Sequence, residues 1–138
     1  MAANTNPIFT RSADVQWAGA ALTAANTAKD GTGTVATVFT ADATEGGYVH
    51  KLVARALGTN VAAVLRVFIN NGATNATAAN NVLFAEMTLP ATTLSEVAAQ
   101  PSYELPLNIA LPAGYKINCA IGTAVAAGYA LSVCGGKY

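Results

Sequence analysis

Apolar and polar residues alternate with a period of two in several short runs along this chain. The clearest run is residues 115–121 (YKINCAI), with Tyr115, Ile117, Cys119 and Ile121 on one side and Lys116, Asn118 and Ala120 on the other. A β-strand divides its side chains between two faces in this way. Residues 62–70 (AAVLRVFIN) alternate too: Leu65, Val67 and Ile69 fall on one face, Val64, Arg66 and Phe68 on the other. Residues 34–40 (TVATVFT) are rich in β-branched side chains, which suit a pleated surface. Residues 82–89 read as a further strand, closed by Pro90. Residues 48–57 place Val49, Val53 and Leu57 at spacings that a helix face would also accept, but short flanking turns and β-rich neighbours assign a strand. Residues 14–22 (with Trp17), 103–111 and 129–134 complete the set. Proline cannot donate to a ladder, so Pro106 predicts that 103–111 lies at a sheet edge or carries a bulge.

Turn-forming residues separate these runs. They include Asp30-Gly31 within residues 23–33 (TAANTAKDGTG), Gly46-Gly47, the polar stretch 71–81 (NGATNATAANN), residues 91–102 and Pro112-Ala113-Gly114. No long amphipathic helix interrupts them. About eight short strands joined by Gly, Pro, Asn and Thr turns predict an all-β fold, an antiparallel β-sandwich of jelly-roll type. The length fits one domain over residues 14–138. Residues 1–13 read as an extended arm in which Pro7, Ile8 and Phe9 are the only bulky apolar cluster. Pro7 favours an extended backbone at Asn6, which would present Ile8 and Phe9 to a neighbouring surface. Pro7, Ile8, Phe9, Arg11 and Trp17 are therefore the candidate interface residues.

Charge sharpens this picture. Only 10% of residues are Asp, Glu, Lys or Arg, against roughly 25% in an ordinary soluble domain. Seven acids balance seven bases. A neutral, weakly charged surface does little to keep molecules apart. One reading is an Ala/Thr/Asn-rich secreted or repeat-like domain; the other is a surface meant to be buried in an assembly. Few of the strands carry charged residues that would protect a sheet edge, so neighbouring subunits are expected to cover the edges. A homo-oligomer follows, with a trimer as the first expectation.

The same composition argues against other classes. Phosphate recognition needs clustered cations, whereas Arg11, Lys29, Lys51, Arg55, Arg66, Lys116 and Lys137 are dispersed, so no nucleic-acid partner is expected. No apolar run approaches the roughly 18 residues of a membrane span. The first residues lack a basic start followed by an apolar block, which predicts use in a reducing cytoplasm. Cys119 and Cys134 are expected to remain thiols.

Catalytic chemistry is not legible. A serine or cysteine nucleophile needs a histidine base, and the only histidine, His50, sits mid-strand without a signature around it. Two cysteines fifteen residues apart and one distant histidine do not make a zinc site. Asp42 and Glu45 share a loop but fall short of a calcium shell. Glu86, Glu96 and Glu104 are candidates for sugar hydrolysis by residue type alone. Gly31-Thr32-Gly33 lacks the Lys-Ser/Thr of a phosphate loop, and the sequon Asn75-Ala76-Thr77 reads as an unmodified loop. Trp17, Tyr48, Tyr103, Tyr115, Tyr129 and Tyr138 could build a carbohydrate platform, although several fall on inward positions that assign them to the core. No catalytic, cofactor or metal residue is assigned, and no enzyme activity is expected.

Several segments resemble small virion proteins of tailed bacteriophages. They are residues 57–60 (LGTN), 65–72 (LRVFINNG), 80–83 (NNVL), 86–91 (EMTLPA), 105–114 (LPLNIALPAG), 121–123 (IGT), 127–129 (AGY) and 135–138 (GGKY), with 24–33 fitting as well. The resemblance spans about residues 24–138 and consists of strands and turns, so it carries over no site residue. It implies a jelly-roll-like fold and a place on the virion, assembled in the host cytoplasm. The expected function is capsid decoration, with the major capsid protein and further copies of itself as partners. The alternative is a tail-tip, baseplate or fibre module that recognises a host glycan or protein.

Overall fold

The computed structural model of the protein describes residues 9–138. It contains eight strands: β1 (Ser12–Trp17), β2 (Ala36–Thr40), β3 (Gly47–Ala56), β4 (Ala63–Asn70), β5 (Asn81–Leu89), β6 (Ser102–Leu111), β7 (Lys116–Ile121) and β8 (Tyr129–Lys137). A single 3-10 turn, Ala78–Asn80, is the only helical element among the described residues.

The strands form two four-stranded sheets, ordered β1-β8-β3-β6 and β2-β7-β4-β5. All ladders are antiparallel. The pairs β1–β8, β2–β7, β3–β6 and β4–β5 nest one inside the next, as a long hairpin does when it is rolled into a sandwich. This is jelly-roll topology, as the strand and turn pattern predicts.

Period-two alternation supplies the core. Leu52 and Ala54 of β3 and Leu131 and Val133 of β8 face inward from the first sheet. Leu65 and Val67 of β4 and Ile117, Cys119 and Ile121 of β7 meet them from the second. Phe39 and Tyr129 are the bulkiest side chains in this cluster, both fully buried. Each large side chain so buried contributes about 1.5–3 kcal/mol.

β8 runs on to Lys137, three residues past its expected end, and other local details are set by the chain. β1 begins at Ser12, inside the expected arm, and ends at Trp17 rather than at Leu22. Ala18 still donates its N–H to the Leu131 carbonyl (3.1 Å), the chain then leaves the sheet at Gly19, and Leu22 returns to bridge Tyr129. In β3, the register shifts between Val49 and Lys51 against both neighbours, so His50 sits at a bulge. β6 is an edge strand, as Pro106 predicts. Near its centre Asn108 has φ 50°, the one positive φ at a non-glycine among the described residues.

Over β4 and β7 the outer face of the second sheet is covered by the chain itself, while Val82 and Phe84 of β5 stay exposed. Segment 23–35 crosses between the sheets along this face. Asn26 donates its backbone N–H to Ile121 (2.7 Å), and its carbonyl lies 3.4 Å from the Arg66 guanidinium. The β4–β5 loop meets it: Asn75 Nδ2 donates to the carbonyls of Gly31 (3.2 Å) and Gly33 (2.9 Å). Phe68, Asn118 and Ala120, outward by alternation, are consequently buried. Asn118 uses its burial well, accepting from Thr37 Oγ1 at 2.8 Å, since an unpaired amide there would be costly.

Features within the chain blunt the sheet edges. The side-chain amide of Gln16 pairs twice with the backbone of Thr40 and so stitches β1 to β2. Pro106 and the Asn108 distortion interrupt β6, and a register shift between Val67 and Phe68 marks β5 near Phe84. Bulges and prolines are ordinary devices for blunting edges.

Candidate interaction surface

The first sheet has no such cover on its outer face. Register places the residues there in rows that cross the strands. Val15, Cys134, Lys51 and Pro106 form one row, and Trp17, Ser132, Val53 and Glu104 the next. Alternation sends these side chains outward because their neighbours Gln16, Val133, Leu52 and Leu105 turn the other way. Trp17 is 68% exposed and Val15 55%. An indole and a branched aliphatic side chain left in water two residues apart are the apolar centre of this face. Lys51 Nζ lies 2.9 Å from Glu104 Oε1, so the charges within the rows pair with each other. The nearness of Glu104 raises the Lys51 pKa. Such exposed pairs contribute little to stability, but they leave the face without net charge.

At one end of this face the chain doubles back. Arg11 donates its backbone N–H to Lys137, which extends the β1–β8 ladder by one bond. The preceding Thr10 crosses the outer face at Gly136, where a Cβ would stand 2.7 Å from Thr10 Cβ. Gly136 thus lets Thr10 lie against the sheet, and Phe9 follows beside it. Phe9, 83% exposed, joins Thr10, Tyr48 and Tyr138 around a depression of about 370 Å³. The Tyr48 hydroxyl lies 3.3 Å from Asn108 Oδ1, and His50 Nδ1 lies 3.0 Å from the same oxygen.

The sequence-derived candidates separate on this surface. Trp17 lies on the open face of β1, and Phe9 lies at the aromatic corner. Arg11 pairs with Glu45 and reaches the Tyr138 carbonyl, which ties it to the end of the sheet. Pro7 and Ile8 lie outside the described residues. Among the tyrosines, Tyr129 is buried in the core and Tyr103 and Tyr115 pack against it, whereas Tyr48 lies on the outer side. Asp42 serves its own turn: its carboxylate accepts from the N–H groups of Thr44 and Glu45, both at 2.9 Å. Those bonds, the Glu45 one foremost, hold it below the usual carboxylate range.

The two cysteines are free and lie on different surfaces. Cys119 points into the core from β7, where burial pushes its thiol up to about 12. Cys134 sits in the outer-face row with Val15 and Lys51. Among the described residues no three His, Cys, Asp or Glu side chains gather as a metal site would require, and no helix is long and apolar enough to cross a membrane.

Comparison with protein-family models, with curated proteins and with solved structures returned no match.

Proposed function

We propose that this protein is a structural component of a tailed-bacteriophage virion, a capsid decoration protein that stabilises the head by packing against capsid subunits and copies of itself. The observation that carries this reading is the open outer face of the first sheet: the chain's own crossing segment covers β7 and β4 of the second sheet, while β1 presents Trp17 and Val15 to water. An exposed, charge-neutral apolar face fits association over solubility. The blunted edges favour face-to-face packing over strand addition. The low charge of the whole chain and the strand-and-turn resemblance to small virion proteins point the same way. A trimer is the simplest closed assembly that would seat such a face on a capsid three-fold.

Adding the purified protein to heads that lack it tests this reading. Decoration predicts saturable binding and heads that resist heat or chelation better than bare ones. Heads that neither bind the protein nor gain stability would rule it out.

A further inference from the structure

We propose that the aromatic corner formed by Phe9, Tyr48 and Tyr138 is a binding site for a neutral saccharide. The inference goes beyond a packing role and does not depend on it. Three features carry it.

The first is shape and lining. Three aromatic side chains from three separate parts of the chain converge on a depression of about 370 Å³, within the roughly 300–1,000 Å³ range of small-ligand sites. Aromatic faces are suited to the C–H faces of a sugar ring, since each offers a large apolar area with a weakly negative surface. Phe9 makes this offer at high exposure. It lies beside Thr10, which packs close to Gly136.

The second is the polar group beside the rings. Asn108 is exposed and holds the only left-handed non-glycine backbone among the described residues. Such conformations gather at ligand clamps more than elsewhere. Its Oδ1 faces the Tyr48 hydroxyl and His50 Nδ1. The His50 ring and the Asn108 amide, both exposed beside Tyr48, each offer polar atoms that can donate and accept. A donor and an acceptor side by side match the paired hydroxyls of a sugar ring.

The third is charge. Arg11 pairs with Glu45, and Lys137 Nζ lies 4.0 Å from Asp42 Oδ2. Among the described residues, Arg11 and Lys137 at this end are thus each matched by an acid. A sialic or uronic acid would need an unmatched cation, so the site selects an uncharged ring. Trp17 does not belong to it. Ser132, opposite Trp17, is four residues along β8 from Gly136, about 13 Å at the rise of a strand.

Saturation-transfer NMR on the intact protein tests this, with maltotriose, mannotriose, chitotriose and galactobiose as neutral probes and sialyllactose and polygalacturonate as charged ones. At least one neutral probe is expected to bind. Phe9→Ala and Tyr48→Ala should each weaken it about tenfold, the loss of one stacked ring, and Trp17→Ala should leave it unchanged. Phe9 is exposed enough that its variant keeps the fold, so it serves where Tyr48→Ala is destabilised. The proposal is overturned if no neutral probe binds, if only charged probes bind, or if binding survives Phe9→Ala.

Discussion

Gln16 and Thr40 are joined by two hydrogen bonds of 2.9 Å, from side-chain amide to backbone, across the seam between the two sheets. The amide imitates one rung of a ladder. It satisfies a backbone N–H and carbonyl that would otherwise line an open edge of β2. Replacing Gln16 with Ala removes both bonds, and a loss of about 1–2 kcal/mol is expected. Urea unfolding of the purified variant reads this directly. The oligomeric state should not change, since the seam is not the packing surface.

Trp17 and Phe68 are both bulky aromatics placed outward by alternation, yet one is open and the other buried. Phe68→Ala should cost about 3–5 kcal/mol in folding stability. Trp17→Asp should change monomer stability by about 0.5 kcal/mol or less. Its effect belongs to association: light scattering at micromolar concentration should show an oligomer for the native protein and a monomer for the variant. An oligomer that survives Trp17→Asp would mean that another surface makes the contact.

Much of this architecture was legible in the chain. Leu65, Val67 and Ile69, or Ile117, Cys119 and Ile121, announce an inward face by alternation alone, and Pro106 announces an edge. The cover over β4 and β7 was not legible. Segment 23–35 is polar and small, without a period, and it is held by bonds such as Asn75 to Gly31 and Gly33, which span more than forty residues. Asparagines of this kind look like loop filler and act as braces for distant carbonyls. Asn60 is a second case, accepting from Gly128 N at 2.8 Å and donating to Gly128 O at 3.1 Å. Trp17 stood out as an interface candidate, but only register shows that it shares a face with Val53 and Glu104. Tyr48 and Tyr138 were legible as possible platform aromatics and Phe9 as an interface candidate, but only the fold brings the three together. The nearest signal was Gly135-Gly136, a pair that invites another segment to lie close.

Thiol chemistry separates the two faces of the sandwich. Cys119 stays protonated at neutral pH and is enclosed, so a maleimide should leave it unmodified in the folded protein. Cys134 should react in dispersed subunits and become protected on assembly if the outer face of the first sheet is the contact. Mass spectrometry of labelled peptides distinguishes the two. Equal labelling of Cys134 before and after assembly would exclude that face.

Alkaline pH should weaken the fold through Cys119. Its thiol has an ordinary value near 9.0 when unfolded, and burial pushes it up to about 12. The folded state therefore keeps a proton that the unfolded state loses. The associated stability is complete below pH 9 and disappears as pH rises toward 12, by up to about 4 kcal/mol. Unfolding free energies of the native protein and Cys119→Ala, compared between pH 8 and 11, should converge as pH rises. Parallel curves would assign the alkaline loss to other groups.

Direct imaging of the particle is the sharpest test of the central claim. Electron cryomicroscopy of virions carrying the protein should show it at repeated icosahedral positions on the head, with the Trp17 face of the first sheet against a neighbouring subunit. Density confined to the tail tip or a single vertex, or no density at all on the particle, would contradict the account.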